Sequence, residues 1–194
     1  MRIIAGEFRS RKLHSMPGDD VRPTPDKMRQ TLFNILQLQI EGAVFVDAYA
    51  GTGAVGIEAL SRGARQAIFI EKNRATADLI RSNLSALGAT GRARVIHAPA
   101  VSHLLNIEAD IVFIDPPYPK EQEYRAALEA LEAKPPRLIV VQHASRFVLK
   151  DKYGPLLRTR IVKQGDNSLS FFTGLSETSS QGLTQEPLTS PDSL

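Results

Sequence analysis

The chain has 194 residues, 24 Lys plus Arg against 21 Asp plus Glu, a hydrophobic share of 42% and no Cys. At roughly 150 residues per domain one domain is expected, large enough to bury its core without a metal or disulfide staple. The lack of Cys excludes a disulfide scaffold, a zinc-thiolate site, an Fe–S cluster and a thiol nucleophile, and it fits a reducing compartment. Met1 to Gly6 lacks the apolar core of a signal peptide, and runs such as Leu138 to Val141 fall far short of the ~20 residues that span a bilayer, so a cytoplasmic protein without membrane contact is expected. Charge is uneven. Residues 174–194 hold Glu177, Glu186 and Asp192 and no base, which leaves residues 1–173 at +6. That Ser/Thr/Gln/Pro-rich tail cannot offset its ordering entropy and reads as disordered. The basic body is compatible with a polyanionic partner.

In chain order, residues 2–13 read as two short strands around a polar turn carrying Arg9, Arg11 and Lys12. Pro17 to Asp20 is a loop. Thr24-Pro25-Asp26 is a helix start, and Met28, Leu32, Ile35, Leu36 and Gln39 continue it at helical spacing to Glu41-Gly42. Strands and helices then alternate. The strands are 44–46, 66–70, 94–96, 111–114 and 138–141; the helices are 55–62, one capped by Asn73, 101–105 and 121–132. Residues 156–163 and 168–173 form a closing antiparallel hairpin with its turn at Gly165-Asp166-Asn167. This alternation predicts a doubly wound, mostly parallel sheet of seven strands, with ligands beyond the carboxyl ends of the strands.

After the first strand comes Asp47-Ala48-Tyr49-Ala50-Gly51-Thr52-Gly53-Ala54-Val55-Gly56, and Glu71 lies 20 residues beyond Gly51. The pattern G-x-G-x-x-G with a following acid is the dinucleotide fingerprint. Asp47 at the strand end, with three residues between it and Gly51, speaks against it, because a carboxylate there repels pyrophosphate. It suits a ligand bearing an ammonium group, such as S-adenosylmethionine. The blander reading is that the glycines serve only helix–strand packing. Tyr49 either packs the wall or touches the methionine part of such a ligand.

The fourth strand runs into Asp115-Pro116-Pro117-Tyr118. Consecutive prolines fix an extended backbone and remove two N–H donors. The Asp115 carboxylate and the Pro116 carbonyl can then face one point as acceptors, and Tyr118 can stack on an extruded base. Methylation of an exocyclic amine needs this, because hydrogen bonds from its N–H groups favour a tetrahedral, nucleophilic nitrogen. A rigid strand–helix loop without chemistry is the alternative.

Several segments together resemble the bacterial 16S rRNA guanine-N2 methyltransferase family of the RsmD type. They are Arg2-Ile3-Ile4-Ala5-Gly6, Arg22-Pro23-Thr24 with Leu32-Phe33-Asn34-Ile35-Leu36, Ala50 to Ala64, and Asp115-Pro116-Pro117-Tyr118. The resemblance covers residues 1–173. It implies a Rossmann-like class I methyltransferase with S-adenosylmethionine as donor, acting on the guanine called 966 in the 16S rRNA of an assembling small subunit. On it, Asp47, Tyr49, Ala50, Gly51, Thr52, Gly53, Gly56, Glu71, Lys72, Ala98 and Asp115 hold the cofactor. Asp115, Pro116 and Tyr118 carry catalysis, while Arg2, Arg9, Arg11, Lys12, Arg22, Pro117 and Tyr118 face RNA. Two positions depart from the family. His97-Ala98 stands where a polar or acidic residue is usual, and Gln142 where Glu is common.

The four histidines, His14, His97, His103 and His143, lack metal-ligand spacing, so no metal is expected. The basic N-terminal cluster either positions RNA phosphates or is a solvated tip. A monomer is expected. Rival functions are an adenine-N6 DNA or RNA methyltransferase, an NAD-dependent dehydrogenase and a non-catalytic RNA-binding module.

Overall fold

A computed structural model describes residues 1–15, 26–117 and 121–175 of the chain. Arg22, the Thr24-Pro25 helix start, Tyr118 and the tail from residue 176 lie outside the described residues. The elements are α1 (Asp26–Ile35), β1 (Val44–Asp47), α2 (Ala54–Ser61), β2 (Gln66–Glu71), α3 (Arg74–Ala86), β3 (Ala93–His97), α4 (Ala100–Leu104), β4 (Ile111–Ile114), α5 (Glu121–Ala130), β5 (Leu138–Ala144), β6 (Lys152–Tyr153), β7 (Leu156–Gln164) and β8 (Asn167–Gly174). They build one eight-stranded sheet in the order β3-β2-β1-β4-β5-β8-β7-β6. β1 to β5 run parallel, and β8, β7 and β6 are antiparallel additions.

The parallel strands read as unbroken apolar runs because both of their faces are covered. Phe45, Phe113 and Val140 pack under α1 with Leu32, Phe33 and Leu36. Val46, Val112, Ile114 and Val141 face the other way, toward Tyr124 and Leu128 of α5. The third cluster joins α2 and α3 to the N-terminal segment through Ile3, Phe8, Ile57, Phe69 and Ile80. Strand order reverses between β1 and β4. The crevice beyond their carboxyl ends is therefore the topological place for a ligand.

The strand pair expected in the first thirteen residues is present in a shortened form. A single antiparallel bridge joins Arg2 to Lys12, and the chain between them turns. The reason is where its backbone donors go. Buried Glu58 accepts from the N–H of Ile4 at 2.8 Å and of Ala5 at 3.0 Å. Ser61 Oγ accepts from Phe8 N–H at 2.9 Å, and the Ser61 carbonyl from Glu7 N–H at 2.7 Å. Groups of α2 thus take the donors between the arms, while Ile3 N–H to Arg11 O and Leu13 N–H to Met1 O, both at 3.1 Å, keep the short cross-strand pairing. Gly6 sits at φ 83° with its Cα so close to α2 that an added Cβ would lie 1.8 Å from the Ser61 carbonyl oxygen. Arg29, 1% exposed, closes the joint by donating to the Arg2 carbonyl at 2.6 Å and to Asp26 at 3.1 Å, with Glu58 3.8 Å away.

Smaller differences have local causes. The sheet has eight strands rather than seven because Lys152–Tyr153 adds a two-residue edge beside Leu156-Leu157, too short to show periodicity. α1 stops at Ile35, and only separate turn bonds, such as Ile40 N–H to Leu36 O, carry the chain on. β5 extends to Ala144 because β8 pairs with it as far as Asn167. Asn167 is consequently strand, and Gly165-Asp166 alone makes the turn.

Candidate active site

The crevice holds a cavity of about 1,190 Å³. The glycine loop after β1, Glu71 and Lys72 after β2, Ala98 after β3, Asp115 and Pro117 after β4, and Gln142 at the end of β5 all border it. Its position follows from β1, β2, β4 and β5 ending together on one side of the parallel sheet.

The loop is built by its own hydrogen bonds. Asp47, 2% exposed, accepts from Gly56 N–H through Oδ2 at 2.9 Å, which ties the end of β1 to the first turn of α2. Gly53 sits at φ 75°, the left-handed region that glycine enters without a Cβ penalty. A Cβ on Gly56 would come within 2.3 Å of the Phe69 ring, so glycine here lets α2 lie directly on β2. Glu71 holds the other side. Its Oε2 accepts from Gly51 N–H at 2.9 Å and its Oε1 from Asn73 N–H at 2.7 Å. The glycines thus do pack helix on strand, and the loop they shape also walls the cavity.

The electrostatics of the cavity are lopsided. Burial pushes the Asp47 carboxyl up to about 8, against the pull of the Gly56 hydrogen bond, and the negative charges of Asp115 and Glu71 push the same way. Three acidic side chains thus border one cavity, and a cation entering it would favour the ionised form of Asp47, whereas a phosphate would oppose it. Tyr49 donates its hydroxyl to Glu123 of α5 at 3.0 Å, and burial followed by that negative neighbour raises its pKa well above the ordinary phenol value.

Asp115 is half-buried, Pro116 buried and Pro117 exposed at the rim. Gln142, 3% exposed, donates from Nε2 to Asp115 Oδ2 at 2.9 Å. This bond, and the wall formed by Ser145 and Arg146 after β5 with Asn167 at the start of β8, were absent from the sequence argument. The end of β5 could have been searched for them, since strand carboxyl ends face the ligand.

The basic N-terminal residues lie elsewhere. Arg11 donates to the Ala86 carbonyl at the last residue of α3 at 3.1 Å, and nearby Glu7 pairs with Arg92 just ahead of β3. α2 and α3 run antiparallel to the strands, so Arg9 and Arg11 sit at the opposite end of the sheet from the cavity. Arg2 donates to the Ser10 carbonyl at 2.9 Å, and Lys12 is exposed beside it. Among the described residues no group of three or more His, Asp or Glu could hold a metal, and no helix is long and apolar enough to cross a membrane.

The fold and this cavity define a class I, Rossmann-like methyltransferase. Residues 1–173 match the family described as conserved hypothetical protein 95, and the chain belongs to that family, the RsmD family. It is similar to "Ribosomal RNA small subunit methyltransferase D" of Escherichia coli K12, 45% identical over 120 residues, 61% of this chain and 60% of that protein. The protein of the same name from Haemophilus influenzae is 36% identical over 150 residues, 73% of this chain and 78% of that one. A solved Escherichia coli structure, "Putative methyltransferase yhhF", superposes with a TM-score of 0.80 at 32% identity, covering 91% of this chain and 99% of that one.

Proposed function

We propose that this chain transfers a methyl group from S-adenosylmethionine to the exocyclic N2 amine of a guanine in 16S rRNA of the small ribosomal subunit. One observation carries the reading. The Asp115 carboxylate at the end of β4 shares a cavity with two further acids, Asp47 ahead of the glycine loop and Glu71 at the end of β2. The names of the family members just described support rRNA as the substrate.

The donor set fits the cofactor. Asp47 supplies a buried carboxylate with no cation beside it, matched to an ammonium group. Glu71 keeps both loop bonds and still has acceptor capacity for two ribose hydroxyls, since a carboxylate offers about four lone-pair sites. Tyr49, Ala50, Gly51, Thr52, Gly53 and Gly56 shape the cradle, and Lys72 and Ala98 border the adenine end. When bound, S-adenosylmethionine supplies a methyl group on a positively charged sulfur, and such a group needs no metal to be transferred.

Asp115 and the Pro116 carbonyl accept the two N–H groups of the target amine and turn its lone pair toward the methyl. Positive charge develops on that nitrogen, so the bond to Asp115 strengthens toward the transition state. The surplus proton passes to Asp115 or to water. Tyr118 stacks on the base and Pro117 forms the rim. Arg22, Arg2, Arg9, Arg11 and Lys12 hold RNA phosphates, Arg9 and Arg11 at a part of the RNA remote from the target base. The protein works in the cytoplasm as a monomer on the assembling subunit.

A two-stage measurement tests this. Calorimetry should show binding of S-adenosylhomocysteine and none of NAD. Labelled methyl should then pass to purified small subunits or their rRNA and not to duplex DNA. NAD binding, or transfer to DNA alone, would replace the reading with one of its rivals.

A further inference from the structure

We propose that Gln142 is a positioning residue for methyl transfer, holding the Asp115 carboxylate in the orientation that receives the target amine. The proposal rests on the functional reading above and adds a residue that it does not need.

Gln142 stands in β5 after the apolar run Ile139-Val140-Val141, and its cross-strand partner is Leu169. An apolar side chain would suit that slot. Instead the chain buries an amide at 3% exposure. Its Nε2 donates to Asp115 Oδ2 at 2.9 Å, while its Oε1 is sealed from solvent with no hydrogen-bond partner. A buried unpaired acceptor destabilises the fold, and Leu or Met would leave none. Turning the amide over would set oxygen against carboxylate oxygen. The orphaned Oε1 is thus the consequence of aiming Nε2 at Asp115, which identifies that bond as the purpose of the residue.

The choice of donor also suits the site. A Lys or Arg would hold Asp115 equally well but would cancel its charge. The Gln142 amide fixes the carboxylate and leaves the negative field of the cavity intact for a cationic methyl donor. Among the described residues, the other charged groups around this cavity are Asp47, Glu71, Lys72, Glu123, Arg146 and Asp166. None of them is bonded to the Gln142 amide.

The test uses the full chain with Gln142→Leu and Gln142→Glu. It reads methyl transfer to small subunits, S-adenosylmethionine affinity by calorimetry, thermal melting, and titration of the Asp115 carboxyl by carbon NMR. Gln142→Leu should melt no lower than the parent and bind the cofactor within about threefold. Its kcat should fall at least tenfold at an unchanged KM, and the Asp115 titration should move upward, its ionised form having lost a donor. Gln142→Glu installs the side chain common at this position in the family, and its kcat should lie well above that of Gln142→Leu, because a Glu sharing a proton with Asp115 can still donate to it. A Gln142→Leu protein with kcat within twofold of the parent, or with an unmoved Asp115 titration, overturns the proposal. If the parent chain methylates no RNA, the functional reading fails by itself. The Asp115 titration then still decides whether Gln142 sets that carboxylate.

Discussion

Cofactor affinity should depend on pH through Asp47. Its carboxyl is buried and pushed up to about 8, with the Gly56 N–H as a hydrogen-bond partner and no cation beside it. Below that pH the free protein holds a proton there, and pairing with the ligand's ammonium must expel it. Affinity therefore falls up to tenfold for each pH unit below 8, or ~1.4 kcal/mol per unit. Two units below, binding should be about 25-fold weaker than at the optimum, close to ~1.9 kcal/mol, because even at the optimum only about a fifth of encounters pair an ionised Asp47 with a charged ammonium. Above pH 8 the ligand's own α-amino group, with an ordinary pKa of ~7.7–8.0, loses its charge and affinity falls again. Calorimetry with S-adenosylhomocysteine should thus trace a bell centred near pH 8. In buffers of different ionisation enthalpy it should show about one proton released per binding event on the acid side. Asp47→Asn keeps an acceptor for Gly56 and should lose the acid limb. A flat profile between pH 6 and 8 in the parent would refute the Asp47–ammonium pairing.

Four further outcomes follow from the geometry. Asp115→Ala should bind cofactor and RNA nearly normally and transfer methyl at least ~10²-fold more slowly, as loss of one preorganised acceptor does, checked by single-turnover kinetics. Glu71→Ala should weaken S-adenosylmethionine binding by at least tenfold in calorimetry, because charge-assisted hydrogen bonds to ribose, at ~1.5–3 kcal/mol each, and the Gly51 tether are lost together. Gly56→Ala places a Cβ 2.3 Å from the Phe69 ring and should destabilise the fold by ~1–3 kcal/mol in urea unfolding. Replacing Arg9, Arg11 and Lys12 together by Ala should raise the RNA KM and flatten its salt dependence without touching cofactor affinity; unchanged salt dependence would make the cluster structural.

What was legible in the sequence was what repeats or sits locally. Val44-Phe45-Val46 and Ile111 to Ile114 stand out as strands because burial on both faces leaves no polar position. The loop from Asp47 to Gly56 is legible because its glycines answer local demands, a left-handed φ at Gly53 and an aromatic ring over Gly56. The Arg2–Lys12 pairing was legible, but its length was not. The N–H groups of Ile4, Ala5, Glu7 and Phe8 are claimed by Glu58 and Ser61, more than fifty residues away, and no local pattern encodes such a pairing. The same contacts give Ile4, Ala5 and Gly6 a docking role against α2. Gln142 was visible merely as a departure from family usage. Its meaning depends on β4 and β5 lying side by side, which brings Asp115 within reach of an amide 27 residues on.

The central claim is the identity of the methylated atom. Small ribosomal subunits incubated with the chain and labelled S-adenosylmethionine should be digested to nucleosides and resolved by mass spectrometry. The account predicts label in N2-methylguanosine, lost when Asp115→Ala replaces the parent chain. Label in N6-methyladenosine, or equal labelling by parent and variant, would contradict it.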